Sequence, residues 1–381
     1  MNRTLLTYNE CREIVERNED MKFYETKHVV DGYDVSIFNY KLAWYNDFAK
    51  PLEDSDIRAE EMRGITFVFD KDGTIADRFL MLHKFWNVNQ VEESLLSNIS
   101  DFKVKSVMNK EDGSLASFIK LPNGTIAGRS KASFSSDQAI RITHLYNTVE
   151  SVKNLVDWGF DNDLALFFEY VAPTNKIVLD YKEEELILLR VRNNTTGEYL
   201  DVRDLDTFGV KVSDFYDYTL EEISEMVHTV EGTEGWIVEF ENGYMVKWKT
   251  EWYFTRHKLF TESLNRENDI IKLILDEKID DVLAQLTDTD VDKEKREFIG
   301  EMIEMVNHEV SMYIHSMKEK LKEYDGNVKA FALNNRKDPL FSMYMSSIKG
   351  RDTYDIAKEK ILKSTSHLMQ AKRWVEKRRK V

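Results

Sequence analysis

Cysteine, proline and long apolar runs are scarce in this sequence of 381 residues. The single cysteine, Cys11, excludes an internal disulfide and a zinc site built from cysteines, and its neighbours Ile14 and Val15 predict that it is buried on a helix. No run approaches the roughly 18 apolar residues of a membrane span, and the N-terminus has no long apolar core of a signal peptide. These absences favour a reduced, cytoplasmic protein without a membrane partner.

Other absences narrow the class of protein. There is no Gly-x-x-x-x-Gly-Lys-Ser/Thr string, which disfavours a P-loop phosphotransferase, and no internal repeat or low-complexity segment. The net charge of −16 disfavours a general coat for nucleic acid, because phosphate binding normally needs a basic surface. The segment 372–380, which includes Trp374, is nevertheless strongly basic. It is either the solvated end of a helix or part of a local groove for nucleic acid.

Hydrophobic periodicity predicts strands in the first part of the chain. With 42% hydrophobic and 12% aromatic residues the protein is globular, and its length favours about two domains. Thr7 and Glu10 have the spacing of a capping box, and a further helix is predicted from Ser135 or Ser136 to about Gly159. The predicted strands are Tyr33–Tyr40, Gly64–Phe69, Phe102–Val107, Leu115–Ile119, Leu164–Val171, Glu185–Val191, Trp236–Phe240 and Tyr244–Trp248.

After about Tyr253 the pattern becomes helical. Two apolar faces are spaced as in amphipathic helices. They contain Ile270, Ile271, Ile274, Val282, Leu283 and Leu286 in one case, and Phe298, Met302, Met305, Val306, Val310, Tyr313, Met317 and Leu321 in the other. The sequence therefore predicts an α+β fold. A domain of antiparallel sheets flanked by helices occupies residues 1–253, and an all-helical domain occupies residues 254–381.

The segment Lys110-Glu111-Asp112-Gly113-Ser114 enters a predicted strand and carries a lysine ahead of an Asp-Gly pair. A lysine amine attacks phosphorus only after losing its proton, and burial or neighbouring cations lower the pKa of a lysine. Gly113 allows a ligand to approach the backbone closely. The same string also fits an ordinary hairpin turn, so the rest of the chain must decide between a nucleophile and a turn.

A carboxylate lies on an apolar face of a later predicted strand. Glu169 shares its face with Phe167 and Val171, because side chains alternate along a strand. A carboxylate in such surroundings is costly unless it is paired or bound to a cation. The alternative is an edge strand on which Glu169 turns to solvent.

Lys247 and Lys249 share one face of the last predicted strand. Two ammonium groups side by side repel each other unless an anion lies between them. They are therefore candidate phosphate ligands that would also depress the pKa of a third lysine, with an exposed strand face as the alternative. A hairpin turning at Glu241-Asn242-Gly243 would bring Glu234, at the start of the preceding strand, into their neighbourhood.

Three other segments place cations beside glycine, aromatic residues or serine. Arg63 and Gly64 lie at a strand start, Lys84 precedes Phe85 and Trp86, and residues 129–133 form a short cationic loop. Lys84 and its aromatic neighbours are suited to stacking a base beside a phosphate. Core packing is the more usual role of such aromatic rings.

Taken together and in order, these segments resemble the motifs of covalent nucleotidyltransferases, the superfamily of ATP-dependent DNA and RNA ligases and mRNA capping enzymes. Three longer strings resemble the phage RNA ligase 1 family of T-even bacteriophages, namely Met108–Leu115, Glu169–Leu179 and Thr196–Tyr199. The similarity runs from about Tyr33 to Tyr253. It then thins to a helical domain of the length that serves tRNA recognition in that family.

The resemblance implies a role for each matching residue. Lys110 would be the nucleophile that becomes linked to AMP. The residues that would bind ATP or AMP are Tyr40, Arg63, Lys84, Trp86, Glu111, Gly113, Glu169, Glu234, Lys247 and Lys249. Lys131 and Tyr253 would contact RNA or its phosphate, and Glu169 and Glu234 would orient waters on Mg²⁺ or the ribose. Asp280 falls where the family has a further metal-binding aspartate, although an ordinary helix-start aspartate explains it as well.

The implied activity is ATP-dependent RNA ligation with Mg²⁺, or Mn²⁺, as the metal. The enzyme would join RNA 5′-phosphate and 3′-hydroxyl ends, and its partner would be single-stranded RNA or a tRNA cleaved in its anticodon loop. We expect a monomer that acts in the cytoplasm, which is the cytoplasm of the host cell if the protein is viral. Two alternatives stay open: a non-catalytic RNA-binding protein, and a DNA ligase of the same superfamily. A DNA ligase or a capping enzyme would normally carry an OB-fold after Lys249.

Overall fold

The computed structural model describes residues 5–17, 22–41, 43, 45–52, 55–175, 177–256, 266–277, 279, 283 and 290–379. The chain forms two compact units, the first made of residues 1–18 and 22–257 and the second of residues 19–21 and 258–381. Within the described residues, the strands all lie in the first unit and the second is helical. This is the α+β class that the sequence predicts.

Three sheets form the first unit. Their strands are β1 (Phe23–Val30), β2 (Tyr33–Tyr40), β3 (Ile65–Phe69), β4 (Ile75–Phe79), β5 (Trp86–Asn87), β6 (Val104–Asn109), β7 (Ser114–Lys120), β8 (Ile126–Ser130), β9 (Leu164–Val171), β10 (Glu185–Asn193), β11 (Tyr199–Leu200), β12 (Phe215–Tyr216), β13 (Gly235–Phe240) and β14 (Met245–Lys249). The strand orders are β1-β2-β3-β4, β11-β10-β9-β7-β8 and β12-β6-β13-β14-β5. Neighbouring strands are antiparallel, apart from the short parallel pair of β14 and β5.

Helices and short 3₁₀ turns connect these strands. The α-helices of the first unit are Tyr8–Arg17, Tyr45–Ala49, Leu96–Ile99, Asp137–Thr148, Glu150–Asp161, Leu220–Thr229 and Glu251–Arg256. The 3₁₀ turns are Glu92–Ser94, Pro173–Asn175 and Val202–Asp204. Thr7 caps the first helix, as the sequence predicts. The Thr7 N–H donates to Glu10 Oε2 at 2.7 Å, and the Glu10 N–H donates to Thr7 Oγ1 at 3.3 Å.

The helix predicted from Ser136 to about Gly159 is two helices. Its start is confirmed, because the Ala139 N–H donates to Ser136 Oγ at 3.2 Å. The prediction of one continuous helix is wrong. Val149 is extended, with φ of −108° and ψ of 107°, and a second helix starts at Glu150. A β-branched residue accommodates this extended break readily.

The chain passes from the third sheet to the second at residues 110–113. Strand β6 ends at Asn109 in the third sheet, and β7 begins at Ser114 in the second. The Lys110 N–H donates to Gly235 O of β13 at 2.9 Å, while Ser114 pairs with Tyr170 of β9. The lysine motif is therefore a short crossing segment with a sheet on each side.

Strand β9 lies between β10 and β7 and contributes to two hydrophobic cores. Phe167 packs in a core that also contains Cys11, and its neighbour Phe168 packs in a second core. Cys11 is buried and free, as predicted. A charged residue on this strand therefore needs a specific partner, and Glu169 lies there.

The second unit contains one long helix and several short ones. Its described helices are Glu267–Leu275, Asp290–Leu321, Val328–Asn335, Phe341–Ile348, Thr353–Ser364 and Leu368–Arg378. On the long helix, the predicted face residues Met302, Val306, Val310 and Met317 are buried. Val282 and Leu286 lie outside the described residues.

Candidate active site

Lys110 and Lys249 contact the same carboxylate oxygen. Lys110 Nζ lies 2.8 Å from Glu234 Oε1, and Lys249 Nζ lies 3.0 Å from that oxygen. The side chains of Glu234 and Lys249 are 3% and 9% exposed, whereas that of Lys110 is 21% exposed. Lys110 is therefore the member of the cluster that a substrate can reach most easily.

The hairpin of β13 and β14 builds this cluster, as the sequence predicts. Gly235 pairs with Lys249 in antiparallel register, while Val246 and Trp248 pack into a core on the face opposite Lys247 and Lys249. Gly235 has a φ of 142°, and a Cβ atom there would lie 2.1 Å from Trp248 O. Only glycine fits this position, which brings Glu234 beside the lysines.

Glu169 lies beside the lysine motif on the internal strand β9. Its Oε1 accepts a hydrogen bond from the Gly113 N–H at 3.0 Å. Burial raises the pKa of Glu169 to about 8, against the opposing effect of Lys110 and with a further increase from Glu234 and Glu111. A solvent-facing carboxylate on an edge strand, the alternative considered from sequence, is wrong because β9 is flanked on both sides.

Crowding explains the glycine in the lysine motif. A Cβ atom on Gly113 would lie 2.4 Å from Tyr170 O and 3.0 Å from Glu169 Cγ. A larger residue would therefore push β9 or the Glu169 side chain away from the crossing segment. The glycine keeps the two carboxylate-bearing elements in contact.

Three donors hold the Glu111 carboxylate. Asn109 Nδ2 and Ser213 Oγ donate to Glu111 Oε1 at 2.8 and 2.9 Å. The Tyr181 hydroxyl donates to Glu111 Oε2 at 3.0 Å. These contacts fix the orientation of a side chain that the family resemblance assigns to the nucleoside.

The buried Asp112 carboxylate ties together the segments around it. Tyr253 OH donates to Asp112 Oδ1 at 2.8 Å, and the N–H groups of Val178 and Leu179 donate to Oδ2 at 2.8 and 2.7 Å. Lys249 Nζ lies 5.2 Å from the centre of the Tyr253 ring. Tyr253 is thus joined to both the lysine motif and β14.

A second group of predicted site residues surrounds Tyr40. Lys84 Nζ and Lys131 Nζ lie 5.2 and 5.1 Å from the centre of the Tyr40 ring. Lys84 Nζ also lies 4.4 Å from the centre of the Trp86 ring. Two ammonium groups are thus held beside the Tyr40 ring by cation–π contacts.

The prediction that Trp86 stacks on a base needs correction. Trp86 is 2% exposed, and its ring packs edge-on against Phe48 at a centroid distance of 5.5 Å. A ring so deeply buried has no open face on which a base could stack. Core packing, the alternative named for Phe85 and Trp86, describes the position.

Arg63 and Lys247 connect the two groups. Arg63 Cζ and Lys247 Nζ each lie 5.9 Å from the centre of the Phe85 ring. Arg63 Nη1 donates to Leu82 O at 3.1 Å. The positive charge of Arg63 also opposes the rise in the pKa of Glu169. The predicted site residues therefore gather in one region, except Asp280, which lies outside the described residues.

Arg129 was predicted to lie in a cationic loop, but its side chain is buried. Its guanidinium donates to the hydroxyl of Thr66 and to the carbonyl oxygens of Gly64 and Lys131. Burial lowers the pKa of Arg129 to about 9. Through these acceptors Arg129 joins the strand start after Arg63 to the loop that carries Lys131.

Sequence reasoning also missed Asn109, Tyr181 and Ser213, the donors to Glu111. Asn109 could have been noticed, since it directly precedes the lysine motif in a strand. No spacing pattern indicates Tyr181 or Ser213, because they reach Glu111 from connections distant in the sequence.

The basic C-terminal segment is partly neutralised within the second unit. Arg378 Nε donates to Glu309 Oε2 at 3.0 Å, and Arg378 Cζ lies 3.8 Å from the centre of the Trp374 ring. Arg379 forms an ion pair with Glu301 at 2.6 Å. Trp374 is 7% exposed, so it packs in the helical core.

Within the residues that the structure describes, no group of three or more His, Cys, Asp and Glu side chains is arranged to hold a metal ion. None of the described helices combines the length and apolar character needed to cross a membrane.

Comparison with known proteins gives a family and several relatives. A family model described as RNA ligase matches residues 61–261. A protein of Thermovibrio ammonificans named "Putative RNA ligase" is 27% identical over 324 residues, which cover 82% of this chain and 79% of that protein.

Solved structures of RNA ligases are also similar to this chain. An archaeal ATP-dependent RNA ligase (form 2) has a TM-score of 0.48 and 13% identity, covering 84% of this chain and 80% of its own. A Naegleria gruberi RNA ligase with PPi has a TM-score of 0.35 and 18% identity, covering 46% and 57%. Because the family model spans more than half of the sequence and includes the lysine motif, the chain belongs to the phage RNA ligase family.

Proposed function

We propose that this protein is an ATP-dependent RNA ligase that joins RNA 5′-phosphate and 3′-hydroxyl ends through a lysyl-AMP intermediate. The observation that carries the proposal is the placement of Lys110 Nζ and Lys249 Nζ on one oxygen of the buried Glu234. A reachable amine beside a second cation suits attack on a phosphorus centre whose negative charge must be held in place. Membership of the RNA ligase family supports this chemistry.

In the first step, Lys110 Nζ forms a bond to the α-phosphorus of ATP, and the bond to pyrophosphate breaks. The amine needs a lone pair for this attack, so Lys110 must first give up a proton. Glu234 Oε1, 2.8 Å away, would accept it. Phosphate oxygens would attract Lys249 and Lys247 as they arrive, and they would replace the Glu234 carboxylate as the partner of Lys249.

Several residues suit the nucleotide and its metal. Mg²⁺, or Mn²⁺, would neutralise charge on the phosphates, and Mg²⁺ keeps most of its waters when bound. Glu169 and Glu234 are the carboxylates that would orient those waters or the ribose. Glu111 and Gly113 would contact the nucleoside.

The later steps act on RNA. AMP would move from Lys110 to the RNA 5′-phosphate, and the RNA 3′-hydroxyl would then displace AMP as the ends join. Lys84 and Lys131, whose ammonium groups lie 5.2 and 5.1 Å from the centre of the Tyr40 ring, would hold a phosphate. We assign adenylyl transfer to residues 1–253 and RNA recognition to the helical residues 254–381, with a tRNA cleaved in its anticodon loop as the substrate.

Replacement of Lys110 with alanine tests the covalent step. We expect no transfer of label from [α-³²P]ATP to the protein, because no amine is left to form the phosphorus–nitrogen bond. Denaturing gel electrophoresis after incubation with Mg²⁺ measures the adduct. Lys103→Ala is the matched control, since Lys103 is 76% exposed and should leave labelling unchanged. Ordinary labelling of Lys110→Ala would contradict the proposal.

The same preparation separates the alternatives. A non-catalytic RNA-binding protein would give no adduct even with the natural sequence. A DNA ligase would seal nicked duplex DNA better than single-stranded RNA. A broken tRNA stem-loop that is joined faster than a linear oligonucleotide would support the assigned substrate.

A further inference from the structure

The Tyr181 hydroxyl bridges the two acidic residues of the lysine motif. Tyr181 lies in the connection between β9 and β10. Its hydroxyl donates to Glu111 Oε2 at 3.0 Å and accepts a hydrogen bond from the Asp112 N–H at 3.0 Å. One side-chain group therefore contacts both residues that follow Lys110.

The connection that carries Tyr181 is held at a second point. The N–H groups of Val178 and Leu179 donate to Asp112 Oδ2 at 2.8 and 2.7 Å. These bonds involve the backbone of the connection and do not depend on the tyrosine hydroxyl. Loss of the hydroxyl alone should therefore leave the connection in place.

The Tyr181 hydroxyl is protonated in this contact. Burial, together with the negative charge of Glu111, raises the pKa of Tyr181, so the hydroxyl keeps its proton at neutral pH. It thus remains a donor to Glu111. A hydrogen bond to a charged group is stronger than one between neutral groups.

The three donors together restrain the orientation of the Glu111 carboxylate. Asn109 and Ser213 both bind Oε1, whereas Tyr181 alone among these donors binds Oε2. Removing the tyrosine hydroxyl leaves Oε2 without this donor and lets the carboxylate rotate. The oxygen positions that a nucleoside would meet then become variable.

We propose that Tyr181 is a positioning residue for nucleotide binding, which sets the orientation of Glu111 and so determines the affinity for ATP in formation of the enzyme adenylate. This inference rests on the proposed function, because it assumes that Glu111 faces the nucleoside of ATP. Tyr181 acts through Glu111 and does not touch the reacting atoms.

The variant Tyr181→Phe tests this inference. It retains the ring and removes only the hydroxyl. We expect the ATP concentration that gives the half-maximal rate of adduct formation to rise roughly tenfold or more, since a hydrogen bond to a charged group contributes more than one to a neutral group. The maximal rate should stay within about twofold of the natural protein, because Lys110, Lys249 and Glu234 keep their positions.

A matched control and a double variant separate positioning from general stability. Tyr146→Phe removes a hydroxyl that donates to Asp157 at 2.7 Å, away from the lysine motif, and should leave both parameters unchanged. Glu111→Gln and Tyr181→Phe should be non-additive when combined, because both changes affect the same contact. The effect of Tyr181→Phe should therefore be largely absent in the Glu111→Gln background.

Three results would overturn the inference. They are an unchanged half-maximal ATP concentration in Tyr181→Phe, effects of the two substitutions that simply multiply, and a loss of binding accompanied by a loss of folded structure in circular dichroism. Absence of any adduct in the natural protein would instead contradict the proposed function. The two failures are thus distinguishable.

Discussion

Glu169 is a residue whose charge is disfavoured by its surroundings. Phe167 and Phe168 pack in cores nearby, while the Gly113 N–H is a donor to the Glu169 carboxylate. Burial raises its pKa to about 8. The folded protein therefore holds a proton at this position over a pH range in which the unfolded chain has released it.

The proton on Glu169 should make the stability of the metal-free protein depend on pH. The contribution of Glu169 to the free energy of unfolding should fall as the pH rises from about 5 to about 8, because the folded state binds more protons than the unfolded state there. Glu169→Gln removes this contribution. Its stability relative to the natural protein should therefore rise across the same range, as measured by urea unfolding at several pH values.

Glu184→Gln is a control with the opposite sign. A hydrogen bond from Arg141 lowers the pKa of Glu184, so its ionised form stabilises the folded state above its ordinary pKa. This variant should be slightly less stable than the natural protein at neutral pH. A stability difference between Glu169→Gln and the natural protein that does not change with pH would refute the assignment to Glu169.

At the scale of elements, strand alternation made much of the site predictable. The placement of Lys247 and Lys249 opposite Val246 and Trp248 follows from the sequence, and the hairpin to Glu234 follows from its turn. The predicted strands differ from the observed ones by at most two residues at either end. The strand prediction succeeds here because each of these strands contains at least two consecutive buried residues.

Elements with weak patterns were not predicted. Strand β1 has one buried residue and several half-buried or exposed ones, and β5 is only two residues long. Trp86 could not be assigned to a core or a base-binding surface, because both use the same residue type. The bond from Tyr181 to Glu111 joins residues 70 positions apart, and no local rule reports such a contact.

A buried ion pair anchors the element that carries Arg63. Arg192 of β10 donates to both carboxylate oxygens of Glu61, at 3.0 and 2.8 Å, and the two side chains are 0% and 3% exposed. Arg192→Met should lower the free energy of unfolding by about 3 to 5 kcal/mol, because it leaves a buried carboxylate without its cation. Chemical denaturation measures this change.

The pair can be replaced as a unit. The double variant Glu61→Leu with Arg192→Met should recover most of the lost stability, since apolar side chains can fill a site vacated by both charges. Lys103→Ala, which breaks an exposed pair with Glu241, should change stability by no more than about 1 kcal/mol. A loss in Arg192→Met as small as that in Lys103→Ala would argue against the anchoring role.

At the scale of the whole molecule, the protein has a net charge of −16, although the phosphates of an RNA substrate are also negative. The last helix offers local positive charge, since Lys372, Arg373 and Lys377 are exposed while Arg378 and Arg379 pair with glutamates. A local basic surface can bind phosphate even on an acidic protein. This surface belongs to the unit to which we assign RNA recognition.

Changing Lys372, Arg373 and Lys377 together to alanine should weaken binding to a tRNA stem-loop. The slope of log affinity against log salt concentration should become shallower by about 2 to 3, because each phosphate contact releases about one counterion. Fluorescence anisotropy at several salt concentrations measures both effects. Adduct formation with ATP should be unchanged.

The control is a triple alanine variant of the exposed lysines Lys27, Lys50 and Lys120 in the first unit. It changes the net charge by the same amount. Equal losses of affinity in the two triple variants would show that total charge, and not the last helix, governs RNA binding.

The crossing of the lysine motif between two sheets also limits where residues can be inserted into or deleted from this enzyme. Lys110 is hydrogen-bonded to β13 on one side, and Ser114 is paired with β9 on the other. A single inserted residue between Asn109 and Ser114 would either displace the nucleophile or turn the side chains of β7 to the opposite face. The segment therefore acts as a spacer of fixed length, and natural insertions and deletions should be confined to loops elsewhere.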